Sequence, residues 1–316
     1  MPAAIHRTDA ALMTVTKSST AALAAAALVV NAFIWGVSWW PFRALQGYGL
    51  HPLWATALIY GLVFVLLLAF SFKSWRDVVT HPGLWLLGLS SGLTNVGFNW
   101  AVTVGDVVRV VLLFYLMPAW SVLVAWLLLG EKPTATSLLR LALAMAGVLI
   151  VLKTPDSPWP IPQGGADWLA LMGGLTFAIT NALLRKFNQA PSGARMLAMF
   201  GGGALLATLA ALLGLSQNMV PGPALQSAGL LVLLGLSLAF MVSNAALQYG
   251  ASRLAASATA LVMLTEILFA SASAALLGAA TFTPRTVLGG SLIVLAAVWA
   301  ALAPQGDSDP APGSAK

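Results

Sequence analysis

Long apolar runs separated by short polar breaks dominate this chain, and the runs are of membrane-crossing length. Ten stretches of roughly 17–25 residues can span a ~30 Å hydrocarbon core as α-helices. They lie at about 20–45, 53–72, 82–104, 107–129, 136–153, 167–187, 193–214, 226–249, 253–278 and 284–303. The runs fall into two copies of a five-segment unit, whose ends overlay as Leu129-Gly130-Glu131 to Leu152 and Leu277-Gly278-Ala279 to Trp299. An odd number of crossings per copy turns the second copy upside down in the bilayer. The expected fold class is therefore an all-α integral membrane protein of ten transmembrane helices in two inverted five-helix repeats. Secondary transporters use such repeats to hold substrate between the halves near the midplane.

Loop charge follows the same pattern. With the N-terminus in the cytoplasm, eleven of the fifteen Lys and Arg fall inside, and Arg43, Arg109, Lys153 and Arg285 fall outside. Equivalent loops exchange their charge between copies. Lys73 and Arg76 follow the second run, whereas Gln217 to Gln226 is uncharged; Arg43 stands alone after the first run, whereas Arg185, Lys186 and Arg195 follow the sixth. Both termini are expected in the cytoplasm of a bacterial cell, with the protein in the inner membrane. The expected organisation is a cytoplasmic tail (1–19), a first repeat (20–153), an external Pro-rich linker (154–166), a second repeat (167–303) and a disordered cytoplasmic tail (304–316). Arg7, Lys17 and the Ala-rich run after them resemble a signal peptide, but the apolar stretch continues through Trp40. That is longer than a signal core and points to an uncleaved first helix.

Composition narrows the function classes. Hydrophobic residues make up 59% of the chain and charged residues 8%, too few to wet a soluble surface. The net charge of +6 is scattered singly between apolar runs, which reads as orientation and not as nucleic-acid binding. No cysteine occurs, which excludes disulfides and thiolate metal sites. Gly88-Leu89-Ser90-Ser91-Gly92 matches the G-x-S-x-G string, but it lies inside a helical run, and His6, His51 and His81 all fall in tails or loops. The same residues satisfy G-x-x-x-G, a helix-packing motif. An enzyme is not expected, nor a cofactor or bound metal.

Trp35-Gly36 with Arg43, Met117-Pro118, and Gly130-Glu131-Lys132-Pro133-Thr134, echoed by Phe177-Ala178, Arg185 and Gly278, together resemble the drug/metabolite transporter superfamily, in its ten-helix family of two EamA-type repeats. The resemblance covers about 18–303. The family's Glu-Pro of the ninth helix stands here as Thr265-Glu266, and its second Gly-Glu as Gly278-Ala279. Within the superfamily the chain looks most like the bacterial aromatic amino acid exporters. That resemblance implies export of amino acids through a central cavity among helices 1, 3, 4, 6, 8 and 9, with helices 5 and 10 behind. Its partners would be small-molecule substrate and lipid bilayer, with no ATPase subunit, in a protein expected to act as a monomer. Other metabolites or drugs, such as nucleosides or amphipathic toxins, are the alternative cargo, and a channel or interaction protein is a remote third reading.

Polar groups in hydrocarbon are costly and need a partner or a task. Gly88, Gly92, Asn95, Asn99 and Thr103 share one helix face; Ser237, Asn244 and Gln248 share another, with Asn99 and Asn244 at equivalent places in the two units. They are either ligand-binding amides or interhelical glue. Trp35, on the Asn31 and Ser38 face, with Trp39, Phe114 and Tyr115, offers aromatic surface to a flat ligand, and Thr176 and Thr180 add hydroxyls on the sixth helix. Trp40, Trp54, Trp75, Trp85, Trp159 and Trp168 read as an interfacial belt. Glu266 is the carboxylate nearest the middle of a span, so it is protonated, paired or hydrated, and it is the candidate for proton coupling or for meeting a substrate ammonium.

Overall fold

The computed structural model describes residues 3–70, 72–105, 107–153, 161–278 and 283–302, and every regular element in them is an α-helix. In chain order they are α1 (Ala3–Gly47), α2 (Pro52–Phe70), α3 (Phe72–Thr80), α4 (Pro82–Val104), α5 (Val107–Phe114), α6 (Met117–Leu129), α7 (Ala135–Leu152), α8 (Gly165–Lys186), α9 (Ser192–Ser216), α10 (Ser227–Ala251), α11 (Ala256–Met263), α12 (Glu266–Leu276) and α13 (Pro284–Ala301). Among the described residues, nine segments are long and apolar enough to cross a membrane, with α5–α6 and α11–α12 each counted as one. Helix α4 has the length, at 23 residues, but Ser90, Ser91, Asn95 and Asn99 dilute its apolar character. Most of the linker, Ala279 and the C-terminal tail lie outside the described residues, as do Asp106 and Trp159.

Two sequence expectations change. Helix α1 runs back to Ala3, through the segment read as a tail, because nothing between Ala3 and Trp40 breaks a helix. Its candidate span is Thr20–Gly47. The short helix α3, carrying Lys73, Arg76 and Asp77, also lies outside the expected ten segments.

The fourth and ninth runs are each broken, at Tyr115-Leu116 and at Leu264-Thr265. Pro118 explains the first break. It has no N–H to offer the Phe114 carbonyl and its ring crowds that oxygen. The second break has no proline; there the Thr265 hydroxyl donates to the Val262 carbonyl at 2.8 Å, a back-bond that competes with the helical ladder. Both broken segments end in a left-handed glycine, Gly130 at φ 71° and Gly278 at φ 69°. A side chain there would be strained, and Gly130 N–H closes the end of α6 onto Trp126 O at 3.1 Å. Thr134 then starts α7 with a capping box to Ser137.

Glycines set how closely the bundle packs. Gly88 and Gly92 of α4 lie directly on the backbone of α9 at Ala198 and Gly202, so the G-x-x-x-G motif is a packing face. Gly147 and Gly289 bring α7 against α13 in the same way, and Gly36 of α1 lies against the Glu266 carbonyl at the start of α12. Packing neighbours recur between the halves: α4 lies on α8 as α10 lies on α1, and α5–α6 lie on α8 as α11–α12 lie on α1.

Candidate functional site

Both helix breaks face one cavity. Phe114 and Met117 flank the first break, Met263 and Glu266 flank the second, and all four line an empty volume of about 800 Å³, part of it open to solvent. Trp35 and Asn31 of α1, Tyr60 of α2, Asn95 and Asn99 of α4, Thr180 of α8, and Phe240 and Asn244 of α10 complete much of its wall. Ligand sites commonly have this make-up, an apolar and aromatic lining with a few placed polar groups.

The amides differ in what they have left to offer. Asn95 has a partner at each end: its Oδ1 accepts from Tyr60 Oη at 2.9 Å and its Nδ2 donates to Ser91 O at 2.8 Å. Asn99 spends its Nδ2 on Thr56 Oγ1 at 2.6 Å, and its Oδ1 takes no hydrogen bond from the described residues. Asn244 also has one end spare. One end of its amide meets the Gln248 amide at 2.7 Å, while the other has only Met199 Sδ beside it at 3.5 Å. Asn31 is 1% exposed; its Nδ2 donates to Ser243 O and Oγ at 2.8 and 2.6 Å, and its Oδ1 is buried without a partner. The ends of Asn31, Asn95 and Asn99 follow from this network; the Gln248 amide fits its neighbours with Nε2 donating to Ser192 O at 3.3 Å and Oε1 accepting from Met196 N at 3.1 Å, which turns the Asn244 Nδ2 toward Gln248 Oε1. Glu266 meets the cavity with the Tyr115 side chain beside it.

Of the residues singled out in the sequence, Trp35, Asn95, Asn99, Thr180, Asn244 and Glu266 come together on this wall. Five others turn elsewhere. Ser38 donates to the Trp35 carbonyl at 2.7 Å, and Trp39 Nε1 donates to Ser273 Oγ at 2.9 Å, tying α1 to α12. Tyr115 stands behind Glu266, Gln248 behind Asn244, and Thr176 accepts from Thr94 at 3.1 Å while bonding its own helix. Trp35 is stacked on Phe240 with ring centroids 4.5 Å apart, so one of its faces is already covered. Trp54 leaves the proposed belt: it is 9% exposed and donates to Pro221 O at 3.0 Å, whereas Trp40 is 56% exposed. Asn31, Tyr60, Ser91, Thr94 and Phe177 also line the cavity. Tyr60 and Thr56, one turn apart in an otherwise apolar α2, were the sequence signal for that wall.

Two ion pairs hold the broken α5–α6 to α8. Arg109 meets Asp167 at 3.0 Å at one end, and Arg185 meets Glu131 at 2.7 Å at the other, where Arg185 also donates to Leu254 O at 2.6 Å. Among the described residues, no group of three or more His, Cys, Asp or Glu is placed to hold a metal ion.

Residues 22–153 match the EamA-like transporter family, nearly the same stretch as the first five-segment unit. The chain is similar to the uncharacterized transporter YojE of Bacillus subtilis (strain 168), with 25% identity over 173 residues, 52% of this chain. The matched part spans about half of that relative's length, 55%. A protein of known crystal structure superposes with a TM-score of 0.72 at 17% identity, over 90% of this chain and 98% of its own, which is a likeness of fold. The family match supports membrane transport of small molecules.

Proposed function

We propose that the protein is a secondary transporter of the bacterial inner membrane that exports amino acids, aromatic and other neutral ones foremost, by alternating access. One observation carries the reading: two broken helices open onto a single cavity that combines an aromatic wall, part-used amides and one carboxyl. An α-amino acid needs an acceptor for its ammonium, a donor for its carboxylate and apolar surface for its side chain. Asn99 Oδ1, the Asn244 amide end beside Met199 and Glu266 provide acceptors, the Nδ2 hydrogens that Asn99 and Asn244 do not spend within the protein provide donors, and Phe98, Phe114 and Phe177 provide surface.

Ten spans in two inverted halves suit this mechanism, and three features support them: the paired breaks, the paired left-handed glycines and the recurring packing neighbours. Counterflow in liposomes tests the function. Unlabelled amino acid trapped inside should accelerate uptake of labelled amino acid, and a screen including nucleosides and cationic drugs identifies the cargo class. Acceleration by nucleosides alone would replace the amino acid reading, and absence of counterflow for all three would remove the carrier.

Topology has its own test, because the chain has no cysteine to give background. A cysteine placed at Gly164 should react with an impermeant maleimide on intact cells, and one at Lys73 should react only after lysis. The reverse pattern would invert the orientation. Glu266 is the one carboxyl lining the cavity among the described residues. If export is coupled to protons there, Glu266→Gln should flatten the pH dependence of counterflow; an unchanged profile with normal flux would leave Glu266 a structural role.

A further inference from the structure

A second, shallower cavity is walled by Pro118 and Val122 of α6, Ser137 and Arg140 of α7, Ser257 and Leu261 of α11, and Ala300 of α13, with an empty volume of about 240 Å³ that includes open space outside the protein. Arg140 is its unusual member. It is 6% exposed and sits within the candidate span Ala135–Leu152, yet among the described residues no carboxylate lies within ion-pair distance of it. Of its five N–H donors, Nε reaches the Thr136 carbonyl at 3.3 Å, and the guanidinium lies 5.7 Å from the Trp299 ring centroid. Neither contact neutralises the charge. A buried cation without a counter-charge is costly, and the cost falls sharply when an anion joins it.

The rest of the cavity favours the same guest. Ser257 and Ala258 belong to the first turn of α11 and Ser137 to the first turn of α7, so two helix N-termini converge beside Arg140; the Ser137 N–H is taken by Thr134 Oγ1 at 3.1 Å, which leaves the first-turn N–H groups of the uncapped α11. The Ser137 hydroxyl is occupied by its capping box with Thr134, which leaves the Ser257 hydroxyl and the guanidinium as side-chain donors. A guanidinium fork with backbone and hydroxyl donors matches phosphate geometry. Around it, Leu138 and Leu139 of α7 and Val298 and Leu302 of α13 present exposed apolar side chains, a surface for acyl chains.

We propose that this cavity is a phosphate site, filled by the headgroup of an anionic phospholipid from the surrounding bilayer. Pockets of basic residues between membrane helices recognise lipid headgroups in this way. The site is separate from the central cavity and does not depend on what that cavity carries. Occupied, it would tie α6 and α11, one half of each broken segment, to α7 and α13.

The test uses full-length protein, delipidated in detergent and titrated with phosphatidylglycerol, phosphatidylcholine or inorganic phosphate, read by thermal unfolding and by native mass spectrometry of retained lipid. Phosphatidylglycerol should raise the unfolding midpoint and remain bound, with little effect from the other two. Arg140→Gln should weaken that response about tenfold or more, the scale of losing a charge-assisted hydrogen bond. Arg140→Lys keeps the charge without the fork and should fall between, and Ser257→Val tests the site with Arg140 in place should the glutamine variant fail to fold. Equal responses in Arg140→Lys, Ser257→Val and the parent protein would overturn the site. An equal effect of inorganic phosphate would overturn the lipid as its source.

Discussion

Asn99→Leu and Asn244→Leu are each expected to weaken substrate affinity about ten- to a hundredfold while the protein still folds and reaches the membrane. The reason is the bonding of the two amides. Asn99 has its Oδ1 free and the Asn244 amide has one end, beside Met199, without a good partner, so each contributes one hydrogen bond to a charged group of a zwitterion. Such a bond is worth about 1.5–3 kcal/mol, which is that fold-change in affinity. Asn95 is the internal control. Both ends of its amide are committed to Tyr60 and Ser91, so Asn95→Leu should lower the unfolding temperature and leave affinity in the surviving protein near normal. Binding and melting measured on the same purified variants separate the two outcomes. Normal affinity in both Asn99→Leu and Asn244→Leu would take these residues out of the site.

Gly202→Val should be the most damaging single substitution to the fold. A Cβ at Gly202 would meet the backbone of Gly88 across the α4–α9 crossing, and backbone cannot rotate away as a side chain can. Overpacking costs about 1–3 kcal/mol even where neighbours can shift, so this variant should melt markedly lower or fail to accumulate. Because α4 carries Asn95 and Asn99 while α9 carries Met199 and Phe200, separating these helices also deforms the cavity wall. Gly235 of α10 is exposed with open space around it, so Gly235→Ala should leave melting unchanged or slightly raised. Similar melting of Gly202→Val and the parent protein would mean that the crossing does not hold the bundle.

The sequence by itself determined where the helices run, and it did so through local chemistry. Apolar run length bounds a span, Pro118 breaks the fourth run, Thr134 caps α7, and Gly130 and Gly278 end their segments because only glycine takes a left-handed turn without strain. Periodicity also placed Asn95 and Asn99 on one face of α4, since that depends only on the helix they belong to. What lies opposite a face depends on residues far away in the chain, and tertiary packing decided it. Asn95 and Asn99 look alike in sequence, yet Tyr60 and Ser91 bond both ends of one and Thr56 a single end of the other. Ser38 and Trp39 neighbour Trp35, but they bond within α1 and across to α12 and so leave the cavity. Asn31 shares its face with Trp35, yet its unpartnered oxygen emerges only from the register of α1 against Ser243, more than two hundred residues away. Arg140 reads in the sequence as one more basic residue near a span end. Only the convergence of α6, α7, α11 and α13 shows it as a buried charge beside an empty cavity.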